Sequence, residues 1–204
     1  MPQLLLPSLQ ITGRRSFLTR SGGAILSVTA IALLAGRKVH AADQPTKAGA
    51  MSDVNILNTM LGSEFEAIAA YQVGADSGLL QKPVHDLAVQ FQGQHKAHSE
   101  FLIKTVKTLG GKPVEAKPTA DYKFPVDTLK SQTDVLRFAA GLEQGAATAY
   151  LNTVPQLRSR DLAKDAASIL GDEAMHWAIL RQALGENPVP VVYIGAPIGA
   201  PQPG

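Results

Sequence analysis

The chain has 204 residues, 45% hydrophobic and 18% charged, with 19 Lys and Arg against 17 Asp and Glu, five His and no Cys. That is enough apolar material for the core of one domain. The lack of cysteine excludes thiolate metal sites, iron–sulfur clusters, thiol catalysis and disulfide staples, so any metal must rest on His, Asp or Glu.

Residues 1–41 read as an export signal. An apolar run from Gly22 to Gly36 follows the pair Arg14-Arg15. Fifteen helical residues rise only about 22 Å, short of the ~20 residues a bilayer span needs, so no stable membrane span is expected in the mature form. Val39-His40-Ala41 has the small-x-small pattern of a cleavage site, with cutting expected after Ala41. Gly13-Arg14-Arg15-Ser16-Phe17-Leu18 resembles the twin-arginine (Tat) export signal. The resemblance implies Arg14 and Arg15 as the recognised pair, the Tat export machinery as partner, and delivery of a folded protein to the periplasm. Five of the 19 basic residues and none of the 17 acidic ones lie in the first 42 residues. The rest of the chain is therefore mildly acidic, at 14 basic against 17 acidic residues, or −3.

Residues 42–52 are polar and linker-like, and residues 53–185 then carry four amphipathic segments. The first runs from about Asp53 to Ser77 and stops at Gly78. Pro83 opens the second at a favourable first helical position, and Gly110-Gly111 ends it. Ser131-Gln-Thr-Asp134 has capping-box spacing for a third helix that continues to about Val154. The fourth spans from near Asp161 to Gly185, with Pro188 just beyond. Only Val189 to Ile194 shows any strand-like alternation, and it is too short and too Pro/Gly-flanked to found a sheet. The predicted class is all-α. Residues 110–130, with Pro113, Pro118 and Pro125, form one long connection. Extended, they reach about 70 Å, against about 35–40 Å for each helix. That predicts two antiparallel helical hairpins joined by a long crossover. Residues 186–204 form a Pro/Gly-rich tail.

At 3–4 spacing each segment has an apolar stripe with a polar break in its middle. The stripes are Leu57, Leu61, Glu64, Ile68, Tyr71; Leu87, Phe91, His95, His98, Leu102, Val106; Leu136, Ala139, Glu143, Ala146, Tyr150; and Leu162, Ala166, Ile169, Glu173, His176, Leu180. Three carboxylates in one bundle core repel one another unless a cation joins them, which points to a metal site. The first and third segments both read Glu-x6-Tyr, and the second and fourth both read acid-or-His, two residues, His. The offsets of 79 from Glu64 to Glu143, 79 from Tyr71 to Tyr150 and 78 from His98 to His176 suggest an internal duplication of one hairpin.

This pattern resembles the ferritin-like superfamily of di-metal carboxylate four-helix bundles, over about residues 53–185, and within it the exported bacterial members with twin-arginine signals. The run Asp172-Glu173-Ala-Met-His176 and the Leu-Gly-Gly-Lys-Pro after the second helix carry the likeness. The resemblance implies Glu64 and Glu143 as single carboxylates, Glu173 and His176 as the Glu-x-x-His pair, and His98 as the second imidazole. It implies one or two ions of iron or manganese, and redox chemistry on dioxygen or peroxide if the protein is an enzyme. By their own spacing, two turns from Glu64 and Glu143, Tyr71 and Tyr150 read as core residues capping the polar cluster. A homodimer is common among such bundles. A non-catalytic bundle, storing metal or acting metal-free as a structural or interaction protein, is the alternative. His95 departs from the pattern, standing where a Glu is expected three residues before His98. A carboxylate bridges two metals through two oxygens, whereas an imidazole normally serves one, so a mononuclear or asymmetric site competes with a dinuclear one. Glu66 competes with Glu64, Gln92-x-x-His95 offers another register, and Glu100 shares a face with Lys96, Lys104 and Lys107. Basic residues are dispersed without aromatic interleaving, which argues against nucleic-acid binding, and no phosphate-binding loop or nucleophile elbow is present.

Overall fold

The structure is a computed structural model that describes residues 47–196. The expected export signal, with Arg14 and Arg15, lies outside the described residues, as do residues 42–46 and 197–204. Among the described residues the long elements are α1 (Lys47–Asp76), α2 (Lys82–Thr108), α3 (Gln132–Thr153) and α4 (Arg160–Ala183). Single 3-10 turns occur at Thr119–Asp121, Val126–Thr128 and Val154–Gln156, and none of the described residues forms a strand.

The first helix begins at Lys47, inside the stretch expected to be linker. Nothing in Lys47-Ala-Gly-Ala-Met-Ser52 stops a helix, and Asp53 does not cap it. Its buried carboxylate instead accepts hydrogen bonds from the backbone N–H groups of Arg158 (2.9 Å) and Ser159 (3.1 Å), tying the α3–α4 turn to α1. The other ends follow their signals. Pro83 sits in the first turn of α2. Ser131 caps α3, its hydroxyl accepting from the Asp134 N–H at 3.3 Å and donating to the Asp134 carboxylate at 2.8 Å. At the end of α2, Gly110 takes φ +77°, and the N–H groups of Gly110 and Gly111 close a Schellman turn onto the carbonyls of Lys107 and Val106. Gly111 is also required by contact: a Cβ there would lie 2.5 Å from Val54 Cγ1.

Hydrogen bonds at the two ends fix the topology. Near the start of α1, Asn58 donates to the Lys112 carbonyl and accepts from the Val114 N–H, so α2 ends where α1 begins. At the opposite end the Gln81 N–H donates to Gln132, so α3 starts where α2 starts. The bonds of Asp53 then bring the end of α3 back to the start of α1. Residues 109–131 therefore run the length of the bundle, and α1–α2 and α3–α4 are antiparallel hairpins joined by that crossover.

Apolar side chains fill the bundle in two clusters. One, toward the start of α1, contains Val54, Leu57, Leu61, Leu102, Val106 and Ile169. The other, toward its end, contains Tyr71, Phe91, Leu136, Trp177 and Leu180, with Val191 and Ile194 of the tail packed against it. Between them lies a layer of buried polar side chains.

Candidate metal centre

Every helix contributes to this layer. Glu64 comes from α1, His95 and His98 from α2, Glu143 from α3, and Glu173 and His176 from α4. Helical periodicity put each on its apolar stripe, and packing four stripes together buried them: Glu64, His95, Glu143, Glu173 and His176 are at most 2% exposed. His98 alone retains appreciable contact with solvent, at 14% of its side chain.

The six side chains converge. His95 Nδ1 lies 2.9 Å from Glu64 Oε2 and its Nε2 lies 3.2 Å from Glu143 Oε1. Glu173 reaches both flanks, with Oε1 3.2 Å from His98 Nδ1 and Oε2 3.6 Å from His176 Nδ1. His98 Nδ1 is 3.5 Å from Glu64 Oε2, and His176 Nδ1 is 3.4 Å from Glu143 Oε2. Two overlapping sets of four result, Glu64–His95–His98–Glu173 and His95–Glu143–Glu173–His176, each offering ligand atoms within 4.8 Å of one another.

A surrounding shell aims these groups. His98 and His176 both turn Nδ1 inward because Nε2 is engaged outside: His98 with Asp172 at 3.2 Å, and His176 with Gln94 at 2.8 Å and Asp172 at 3.6 Å. The tyrosines cross between hairpins. The Tyr71 hydroxyl donates to Glu143, and that of Tyr150 to Glu64. Phe91 stacks on the His176 ring at 4.0 Å between centroids.

Electrostatics follow from this packing. Burial opposes charge on Glu64 and Glu143, but the facing imidazoles, His95 and His98 beside Glu64 and His176 and His95 beside Glu143, outweigh it and hold both below the usual carboxylate range. Glu173 goes the other way, because burial prevails over its imidazole neighbours. Burial would depress the imidazoles, yet the facing carboxylates lift His95 to about 10, and His98 and His176 to about 9. Burial and then the adjacent carboxylate charges push Tyr71 and Tyr150 well above the ordinary phenol value, so both remain donors.

The donors fit a cation. Glu173 Oε1 and Oε2, Glu143 Oε2, His98 Nδ1 and His176 Nδ1 are buried and have no hydrogen-bond partner. Buried polar atoms are rarely left unpaired, and here five of them face one another with the mixed N/O chemistry that suits first-row divalent metals. A groove of about 410 Å³ between α2 and α4, lined by His98, Asp165, Ser168, Asp172, Phe101 and Met175 among others, leads to this centre from the surface.

The alternatives fall away from the cluster. Glu66 and Glu100 are exposed. Gln92 donates to the Ile68 carbonyl and to Gln72 while accepting from Lys96, all outside the cluster. Asp172 and Gln94 were not singled out from sequence, although Asp172 stands one helical turn before His176, a spacing that permits their contact. No helix among the described residues is long and apolar enough to cross a membrane.

Residues 52–186 match the model of the ferritin-like domain family. No curated protein matches. Among solved structures, a conserved hypothetical protein from Mycobacterium tuberculosis is similar at TM-score 0.60 and 24% identity, covering 78% of this chain and 100% of that one. Ferritin-like, diiron-carboxylate proteins from Bacillus anthracis str. Ames are similar at TM-score 0.56 and 20% identity, covering 67% of this chain and 97% of theirs. These two likenesses concern the fold.

Proposed function

The chain belongs to the ferritin-like domain family, and from that premise we propose that it is an exported redox protein holding iron or manganese between its four helices. The observation that carries this reading is the set of five unpartnered, buried ligand atoms converging from α2, α3 and α4. Glu64 and Glu143 would hold ions at the two flanks, Glu173 would reach both, and His98, His176 and His95 would supply nitrogen. Such an ion supplies electron transfer to dioxygen or peroxide, which makes ferrous oxidation or peroxide disposal the activity we favour. Tyr71 and Tyr150 keep the flanking carboxylates turned inward, while Asp172 and Gln94 fix the imidazole rings. The groove beside His98, with Asp165, Ser168 and Asp172 on its walls, gives an ion or a small reactant a route to the cluster.

One observation favours a second reading, a metal-free structural or interaction module. Three raised imidazoles face three carboxylates, so the cluster can balance its charges internally. Elemental analysis separates the two. Protein exported by its own signal should carry iron or manganese, and a Glu143→Ala, Glu173→Ala variant should not. Equal metal content in both refutes the site. The twin arginines support export by the Tat route to the periplasm. Replacing Arg14 and Arg15 with Lys should retain the protein in the cytoplasm, and undiminished export would refute that assignment.

A further inference from the structure

His95 lies between the two flanks of the cluster as Glu173 does, but it offers different chemistry. Glu173 presents one oxygen to each imidazole, Oε1 toward His98 and Oε2 toward His176, and both can bind at once. His95 presents Nδ1 to Glu64 and Nε2 to Glu143. A neutral imidazole has one lone pair and one N–H, so it ligates on one side and donates on the other.

The flank of Glu64 shows what a single ion gains. Around it the consecutive separations are 2.9 Å (Glu64 Oε2 to His95 Nδ1), 3.6 Å (His95 Nδ1 to Glu173 Oε1), 3.2 Å (Glu173 Oε1 to His98 Nδ1) and 3.5 Å (His98 Nδ1 to Glu64 Oε2). Neighbouring ligands on an ion with bonds of ~2.0–2.1 Å stand about 3 Å or a little more apart, so these two oxygens and two nitrogens already lie near the spacing that one ion needs. On the other flank Glu143, Glu173 and His176 form the same kind of set only if the His95 lone pair points the other way.

Resting on the metal-binding reading, we propose that His95 makes this a centre with one high-affinity ion per chain. The first ion takes the lone pair of His95. The ring N–H then donates to the carboxylate of the opposite flank, which leaves a second ion three side chains, one of them already engaged as a hydrogen-bond acceptor. The ring is thus the specificity-determining residue for nuclearity, and the choice of His over Glu at position 95 sets the two flanks in competition.

The test is titration of the metal-free full domain with Co²⁺, read by visible absorption and by elemental analysis after gel filtration. Removing even an outer partner of a ligand costs about 10–100-fold in affinity, so the second Co²⁺ should bind at least about 100-fold more weakly than the first. In His95→Glu, where two oxygens serve two ions, the gap should close to less than about tenfold. Two ions of comparable affinity in the wild type, as a fully deprotonated bridging ring would give, overturn this proposal alone. A persistent single tight ion in a folded His95→Glu also overturns it. No bound Co²⁺ in the wild type overturns both this proposal and the metal-binding reading. The wild-type isotherm decides the matter even if the variant fails to fold.

Discussion

Replacing Glu173 with Leu should make the metal-free protein more stable and the metal-loaded protein less so. Glu173 is fully buried and neither oxygen has a hydrogen-bond partner, although imidazole nitrogens stand 3.2 Å and 3.6 Å away. Its ionisation is disfavoured in the folded state, chiefly by burial. A buried polar group without a partner costs about 1–3 kcal/mol, so replacing this carboxyl with Leu should add about 2 kcal/mol. At about 2–4 °C per kcal/mol for a domain of this size, Tm in chelator should rise by about 4–8 °C. Metal reverses the order. An ion present at 1,000 times its Kd contributes about 4 kcal/mol to the wild type, or about 8–16 °C, and nothing to a variant that has lost the carboxylate common to both flanks. The assay is thermal unfolding followed by far-UV circular dichroism, with chelator and with excess metal. A lower Tm for Glu173→Leu in chelator would refute the claim that this carboxylate is a stability cost retained for binding. A preserved metal-induced shift would show that it is not a ligand.

The raised imidazoles predict the pH dependence of the metal-free protein. His95 at about 10, with His98 and His176 at about 9, lie above the unfolded value of 6.5. Their contribution is complete below pH 6.5 and is lost as pH rises through 9 to 10. Tm in chelator should fall across that window, whereas with metal, which needs the nitrogens unprotonated, it should not. A flat metal-free profile would refute the assignment. Tyr71→Phe and Tyr150→Phe each free a flanking carboxylate and should cost about 10–100-fold in metal affinity by competition titration while the fold is retained. Ser168 is exposed on the wall of the groove. Ser168→Trp should slow metal uptake in stopped-flow mixing without changing the final metal content, and an unchanged rate would mean that ions enter elsewhere.

The centre was legible because its chemistry contradicts its surroundings. Carboxylates and imidazoles at core positions of four stripes violate the expected pattern of each helix, and the violations align once the helices pack. The long crossover was legible from its length alone. Other features depend on which helices meet and in what direction. Glu64 and Tyr71 share a face, as do Glu143 and Tyr150, but each tyrosine serves the acid of the other helix. Because α1 and α3 are antiparallel, two turns along one helix lands beside the glutamate of its neighbour. Asp53 gave a helix-start signal that its long-range bonds to the α3–α4 turn override. Asp172 sits one residue off the apolar stripe of α4 and reads as solvent-facing until α2 brings His98 against it.

These outer contacts bear on how the centre forms. Many small metal domains fold only around their ion, because nothing else positions the ligands. Here Asp172 and Gln94 turn two imidazoles inward, the crossed tyrosines fix two carboxylates across the hairpins, and apolar clusters close the layer above and below. The layer is therefore positioned by packing, with the imidazoles of His95, His98 and His176 set against the carboxylates. Metal binding would then exchange protons for an ion within a finished fold.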